Sequence, residues 1–236
     1  MNKENFDQYL VNTPLCDCSH SAIQKVVSEI VAPNMNVHEK AKTIFYWVRD
    51  NIKYAVMGGG YATKASKVLK IGYGDCGTKT NAHIALLRAA KIPARMHAGM
   101  ADASVLEKIL PKWMYKMATK KDCRDYHFWT ECYINDRWIA CDGLIDERLY
   151  ENGIKEGIFS KDKIPTNDWN GRDDFSPLKP WILEDFGFKP SWDEWSKIYA
   201  KFFAPGLPVF ILDLFTKLSS PMCRKVTDRI RKKYST

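Results

Sequence analysis

The sequence predicts an α+β fold in which a helical lobe packs on an antiparallel sheet. Three observations lead there. Apolar residues recur at helical spacing through most of the chain before Pro93. The pattern turns strand-like after it, and Asn135-Asp136 separates two further strand-like runs.

In order along the chain, Ser21 to Ala32 reads as a helix with Ile23, Val26, Val27 and Ile30 on one face, closed by Pro33. Asn36 followed three residues later by Glu39 has the form of a capping box, and Val37, Ala41, Ile44, Phe45, Val48 and Ile52 continue a helix from it. Val56 to Gly60 is a glycine-rich break, and a short helix follows from Thr63 to Leu69. The segment Gly72 to Arg95 then delivers Cys76 from a glycine turn into the first turn of a helix. That helix has one apolar face made by Ala82, Ala85, Leu86, Ala89 and Ala90, and Pro93 stops it. A thiol there meets unpaired backbone N–H groups and the positive end of the helix dipole, which favour the thiolate.

Ala94 to Met100 reads as a strand, and Ala101 to Tyr126 as an insertion, helical from Val105 to Tyr115. His127 to Ile134 and Arg137 to Cys141 are strands joined by the Asn135-Asp136 turn, two residues that tolerate the left-handed conformation. Asp146 to Pro190 has the character of a loop. Trp192 to Phe203 is an aromatic-rich helix, Ala204 to Pro208 a turn, and Val209 to Leu218 a short apolar helix docked on the core, followed by a basic helix. Apolar plus basic also suits an anionic membrane surface, so a weak membrane-surface contact through this segment is the alternative. The resulting division is a core with its N-terminal helices over 1–150 and a C-terminal extension with a basic tail over 151–236.

At 45% hydrophobic residues the chain can bury a proper core. Its first residues, M-N-K-E-N-F-D-Q-Y-L, lack a signal pattern and no run approaches a membrane span, so a cytoplasmic protein is expected. Seven irregularly spaced cysteines argue for free thiols. Cys16, Cys18 and His20 lack a second ligand pair at metal spacing, so no metal and no cofactor is expected, and the two cysteines read as surface or half-buried thiols. The net charge of +8 is concentrated from Lys217 to the end, where seven Lys/Arg face one Asp. The remainder is near neutral without a basic stripe, which disfavours a nucleic-acid partner.

The hairpin carries a spatial consequence. With a two-residue turn, Ile134 pairs with Arg137, and paired residues share a sheet face. His127, Trp129 and Glu131 then share a face with Trp138, Ala140 and Asp142. Asp142 falls diagonal to His127, within reach of a carboxylate–imidazole contact. Cys132 and Cys141 face the other way. Cys76, His127 and Asp142 thus fit one mechanism: a nucleophilic thiol, a histidine that removes and returns its proton, and a carboxylate that orients the histidine.

The order of nucleophile on a helix and His–Asp on adjacent strands is that of the papain-like arrangement. Four segments carry a closer likeness: A-K-T-I-F-Y-W-V-R-D-N-I-K-Y, A-S-K-V-L-K-I-G-Y-G-D-C, A-L-L-R-A-A-K-I-P-A-R and H-F-W-T-E-C-Y-I-N-D-R-W-I-A-C-D. Over Val37 to Asp142 the chain resembles the transglutaminase-like superfamily in its microbial, single-core form. The resemblance implies Cys76 as nucleophile, His127 as base and Asp142 as third member. Asp142 is followed by Gly-Leu where the family often has Pro-Thr, which leaves Asp146 as a lesser alternative. The implied activity is acyl transfer from an amide or isopeptide bond of a peptide or amide substrate through a thioester. Hydrolysis is preferred, with transamidation, or a non-catalytic membrane-associated scaffold, as alternatives. The backbone N–H of Cys76 is the first oxyanion donor; Trp47 and Tyr54 are candidates for a side-chain donor.

Overall fold

The computed structural model describes residues 6–58, 60–118 and 122–234. Gly59, in the predicted glycine-rich break, lies outside the described residues, as do the first five residues of the N-terminal reading. The first helices form where their caps place them. His20 accepts the Ala22 N–H to open α1 (Ser21–Ile30). The Asn36–Glu39 capping box opens α2 (Val37–Asn51), with both reciprocal bonds made. A two-residue strand β1 (Lys53–Tyr54), α3 (Ala65–Ile71) and a second short strand β2 (Tyr73–Gly74) lead to α4 (Cys76–Ala89).

Helix α4 lies at the centre of the molecule. The sequence predicts one apolar face, but every residue from Gly77 to Arg88 is buried. The reason is its surroundings: α1, α2 and α3 pack on one side, strands β3 (Ala94–Asp102) and β4 (Arg124–Ile134) on the other. Several of its buried polar side chains bond to backbone groups, while His83 Nε2 and Asn81 Oδ1 are buried without a hydrogen-bond partner among the described residues. Arg88 donates to Val11 O at 2.8 Å and Ala94 O at 3.0 Å, and Asn81 to Leu15 O at 2.8 Å.

Between β3 and β4 the single helix expected over Val105 to Tyr115 is split into a 3-10 turn at Ala103–Leu106 and α5 (Lys112–Ala118), because Pro111 has no N–H to donate inside a helix and instead starts one. The turn after β4 follows the hairpin prediction. Asn135 and Asp136 have φ of 51° and 60°, and β5 (Arg137–Ala140) pairs Ile134 with Arg137, Tyr133 with Trp138 and Glu131 with Ala140. Cys132 and Cys141 lie buried together on the opposite face, sulfurs 3.6 Å apart.

The stretch 146–190 is not the loop that was expected. It contains α6 (Glu147–Lys155), capped by Asp146, and β6 (Ile182–Lys189), which joins β3 as the fourth strand. The sheet is antiparallel throughout, in the order β5-β4-β3-β6. Helix α7 (Trp192–Phe203) matches its prediction. The two predicted C-terminal helices are one, α8 (Val209–Lys232), which runs through Pro221. One missing bond is tolerated because the buried side is tied down on both sides of the proline: Ser220 and Arg224 both donate to Gly58 O.

The Cys16–Cys18 segment also differs from its prediction. Both thiols are buried, because Asp17 between them accepts the Ser66 N–H and hydroxyl and draws the loop against α3. Burial pushes the Cys16 thiol up to about 12.

Candidate active site

The site begins with how α4 is started. Gly72 closes α3 in the left-handed conformation at φ 69°. The parallel bridge of β1 to β2 then fixes the approach, with Lys53 N–H on Gly72 O at 2.9 Å and Ala55 N–H on Gly74 O at 3.0 Å. A Cβ at Gly74 would come 2.9 Å from the Lys79 backbone, so only glycine lets the chain pass this close to the helix it enters. Asp75 accepts the Thr78 N–H at 2.9 Å and Thr78 accepts the Asp75 N–H at 3.0 Å. These bonds hold Cys76 at the first helical position.

The half-buried Cys76 thiol lies along the backbone of β4 and donates to Tyr126 O at 3.8 Å. His127, next on that strand, is 3% exposed, and its Nε2 meets Asp142 Oδ2 at 3.0 Å. Asp142 is 2% exposed and also accepts the Leu144 N–H at 3.1 Å and the Ser176 hydroxyl at 3.4 Å. The fold therefore joins His127 to Asp142 as the parity argument expects and sets Cys76 beside that strand. It forms no thiol–imidazole hydrogen bond among the described residues. A carboxylate accepting at Nε2 leaves the Nδ1 lone pair as the one that can take a thiol proton. The His127 ring stacks on Trp129 at 5.8 Å and 22°, and Trp129 on His97 at 4.4 Å and 12°.

Asp146 is occupied elsewhere. It caps α6 and pairs with Arg231 of α8 at 2.5 Å. Tyr54 is buried in the apolar cluster that Cys76 borders, whereas Trp47 sits half-buried on α2.

Electrostatics at the thiol run against the simple helix-terminus expectation. Burial pushes Cys76 well above the ordinary thiol value, and the neighbouring Asp75 and Asp125 carboxyls push the same way. Burial also raises Asp125 to about 6 and raises Asp75. Sequence reasoning missed Asp125, because nothing in its spacing from Cys76 places it beside the thiol. It also missed Lys79, one turn along α4 and fully buried, which donates to Leu144 O at 2.8 Å and Arg49 O at 3.1 Å. Lys79 thereby ties the nucleophile helix to the loop holding Asp142, and burial lowers its pKa to about 7.

Residues 24–143 match the family described as the transglutaminase-like superfamily, a stretch that contains Cys76, His127 and Asp142. The chain belongs to that superfamily. Its membership supports an enzyme built on cysteine chemistry. No curated protein matches the chain. Among solved structures it is similar to a candidate cysteine protease from Cytophaga hutchinsonii, at 25% identity and a TM-score of 0.47, over 60% of this chain and 43% of that one. The chain thus spans less than half the length of that neighbour. Among the described residues no group of metal-ligating side chains is placed to hold an ion, and no helix is long and apolar enough to cross a membrane.

Proposed function

We propose that this transglutaminase-like chain is a cysteine-nucleophile acyl-transfer enzyme that hydrolyses an amide or isopeptide bond of a peptide or amide substrate. The observation that carries the reading is the buried His127–Asp142 pair, 3.0 Å apart, with His127 on the strand beside the Cys76 thiol at a helix start. Cys76 Sγ attacks the carbonyl carbon while His127 Nδ1 takes the thiol proton. The oxyanion collects on the carbonyl oxygen, where the Cys76 N–H, without a helical partner at that position, is available to donate. The C–N bond breaks, His127 returns the proton to the leaving amine, and a thioester remains. Water, deprotonated by His127, then releases the acid and restores the thiol. Asp142 holds the imidazole orientation and stabilises its cation throughout.

The burial of the thiol supports a general-base attack rather than a preformed thiolate. The test is turnover of a peptide library, with mass spectrometry of adducts on Cys76, in the presence and absence of a labelled primary amine. The expected result is a Cys76 acyl adduct and free acid as the main product, both lost in Cys76→Ala. Amine incorporation as the main product would assign transamidation instead. No adduct and no product would leave the non-catalytic scaffold as the reading.

A further inference from the structure

Helix α8 has two unlike sides. One packs on the core through Leu212, Thr216, Cys223 and Thr227. The other carries Phe210, Leu214, Leu218 and Met222 at four-residue spacing, which keeps them on one slowly drifting face. Phe210 and Leu218 are each 72% exposed, so these side chains project rather than lie in a groove. The turn before the helix adds Leu207, and α7 adds Phe202, both exposed. Further along the same face the apolar file gives way to Lys225, Arg229 and Lys232, which with Arg224 and Asp228 line a shallow groove beside Pro221. Both acids of this helix, Asp228 in the groove included, already have partners. Asp213 accepts the Ala62 N–H and pairs with Lys217, and Asp228 accepts the Tyr73 hydroxyl and pairs with Arg231.

A continuous projecting apolar file of this size is unusual on a soluble surface and marks an interaction site. Its continuation into exposed cations with no free acid among them sets the chemistry of what it meets. We infer that this face of α8 seats the protein on an anionic lipid surface. The Phe210–Met222 end enters the boundary between headgroups and acyl chains, and the Lys225–Lys232 end, ~33 Å from Phe210 to Lys232 at a rise of ~1.5 Å per residue, lies against the lipid phosphates. The argument is independent of the proposed catalytic chemistry, and so is its test.

The test is co-sedimentation of the full chain with vesicles of phosphatidylcholine alone and of phosphatidylcholine mixed with phosphatidylglycerol. Binding is expected to the mixed vesicles, with little to phosphatidylcholine, and is expected to weaken as salt rises. Replacing Phe210, Leu214 and Leu218 together by Ser should abolish it. Replacing Lys225, Arg229 and Lys232 together by Gln should weaken it roughly 100-fold, at about fivefold per cation, and remove the preference for anionic lipid. All six side chains are exposed, so both variants should keep the wild-type circular dichroism. Failure of the full chain to sediment with the anionic vesicles would overturn the inference, as would wild-type binding by both variants. A dimer in light scattering that the Ser variant abolishes, without vesicle binding, would assign the face to a second copy and likewise overturn it.

Discussion

At Cys76 a helix terminus and a buried environment act in opposite directions on one proton. The terminus contributes about 0.3–1 kcal/mol toward the thiolate, less than one pKa unit, which is about 1.4 kcal/mol. Burial acts against it, and Asp75 and Asp125 add to the upward push. The balance is upward, which favours the thiol over the thiolate at neutral pH. Alkylation by iodoacetamide, which requires the thiolate, should be slow at neutral pH and should climb only above the ordinary cysteine range. A rate that reaches its plateau below that range would refute the burial argument. His127→Ala should lower turnover by roughly 10²–10⁴-fold, the usual contribution of a general base, while leaving alkylation at high pH intact. Asp125 gives a second handle. Its folded-state pKa of about 6 lies above its ordinary value of 3.8, so its favourable contribution is complete below about pH 4 and is lost as pH rises through about 6. Asp125→Asn should remove that falling component from the curve of stability against pH, and should speed Cys76 alkylation. Identical curves for the two proteins would show that the carboxyl is not buried as described.

At the scale of elements, the start of α4 decides where the nucleophile sits. Asp75→Ala removes an N-cap and should lower stability by about 1 kcal/mol, within the usual range of about 0.5–2. Gly77 lies under the ring of Trp192 from α7, where an added Cβ would be 2.5 Å from the ring. Gly77→Ala should destabilise by about 1–3 kcal/mol through overpacking. Trp192→Phe in the same chain should recover part of that, since residues in contact do not add independently. Urea unfolding of the two single variants and the double variant measures the coupling, and additive effects would contradict the contact. The cap of α2, the hairpin register and the span of α7 were all legible in the sequence, because each depends on residues within a few positions of one another. Strand β6 was not. Its pattern, I-L-E-D-F-G-F-K, has little alternation, and it is a strand because β3 offers an unpaired edge.

At the scale of the whole molecule, α8 is fastened to the core by a buried ion pair. Arg231 meets Asp146 at 2.5 Å and donates to Tyr54 O at 2.6 Å, next to the apolar cluster that borders the thiol. Removing one partner of such a pair leaves the other charge buried and uncompensated, which costs about 3–5 kcal/mol. Arg231→Met should therefore destabilise the protein by about that amount, and Asp146→Asn combined with it should do less harm than the two losses summed. The pH dependence follows from Asp146, whose pKa Arg231 lowers despite burial. Its contribution is present above the ordinary carboxylate range and disappears as pH falls through the depressed folded value. Wild-type protein should lose this part of its stability in acid, and Arg231→Met should show no such loss. Acid titration followed by tryptophan fluorescence measures both, and an unchanged acid limb in Arg231→Met would show that the pair is not formed.

The sequence alone determined the local devices: the capping box of α2, the turn at Asn135-Asp136, and through its register the shared face of His127 and Asp142. A two-residue turn leaves a strand pair one register, and side-chain direction then follows by parity. Tertiary structure alone decided what surrounds those groups. It made α4 central, set the half-buried Cys76 beside Asp125, sent Asp146 to Arg231 instead of His127, and tied Lys79 to the Asp142 loop. These depend on which distant segments share a volume, and burial sets the energy of every charge within it. Periodicity records which side of a helix is apolar, but not how many neighbours will come to cover it.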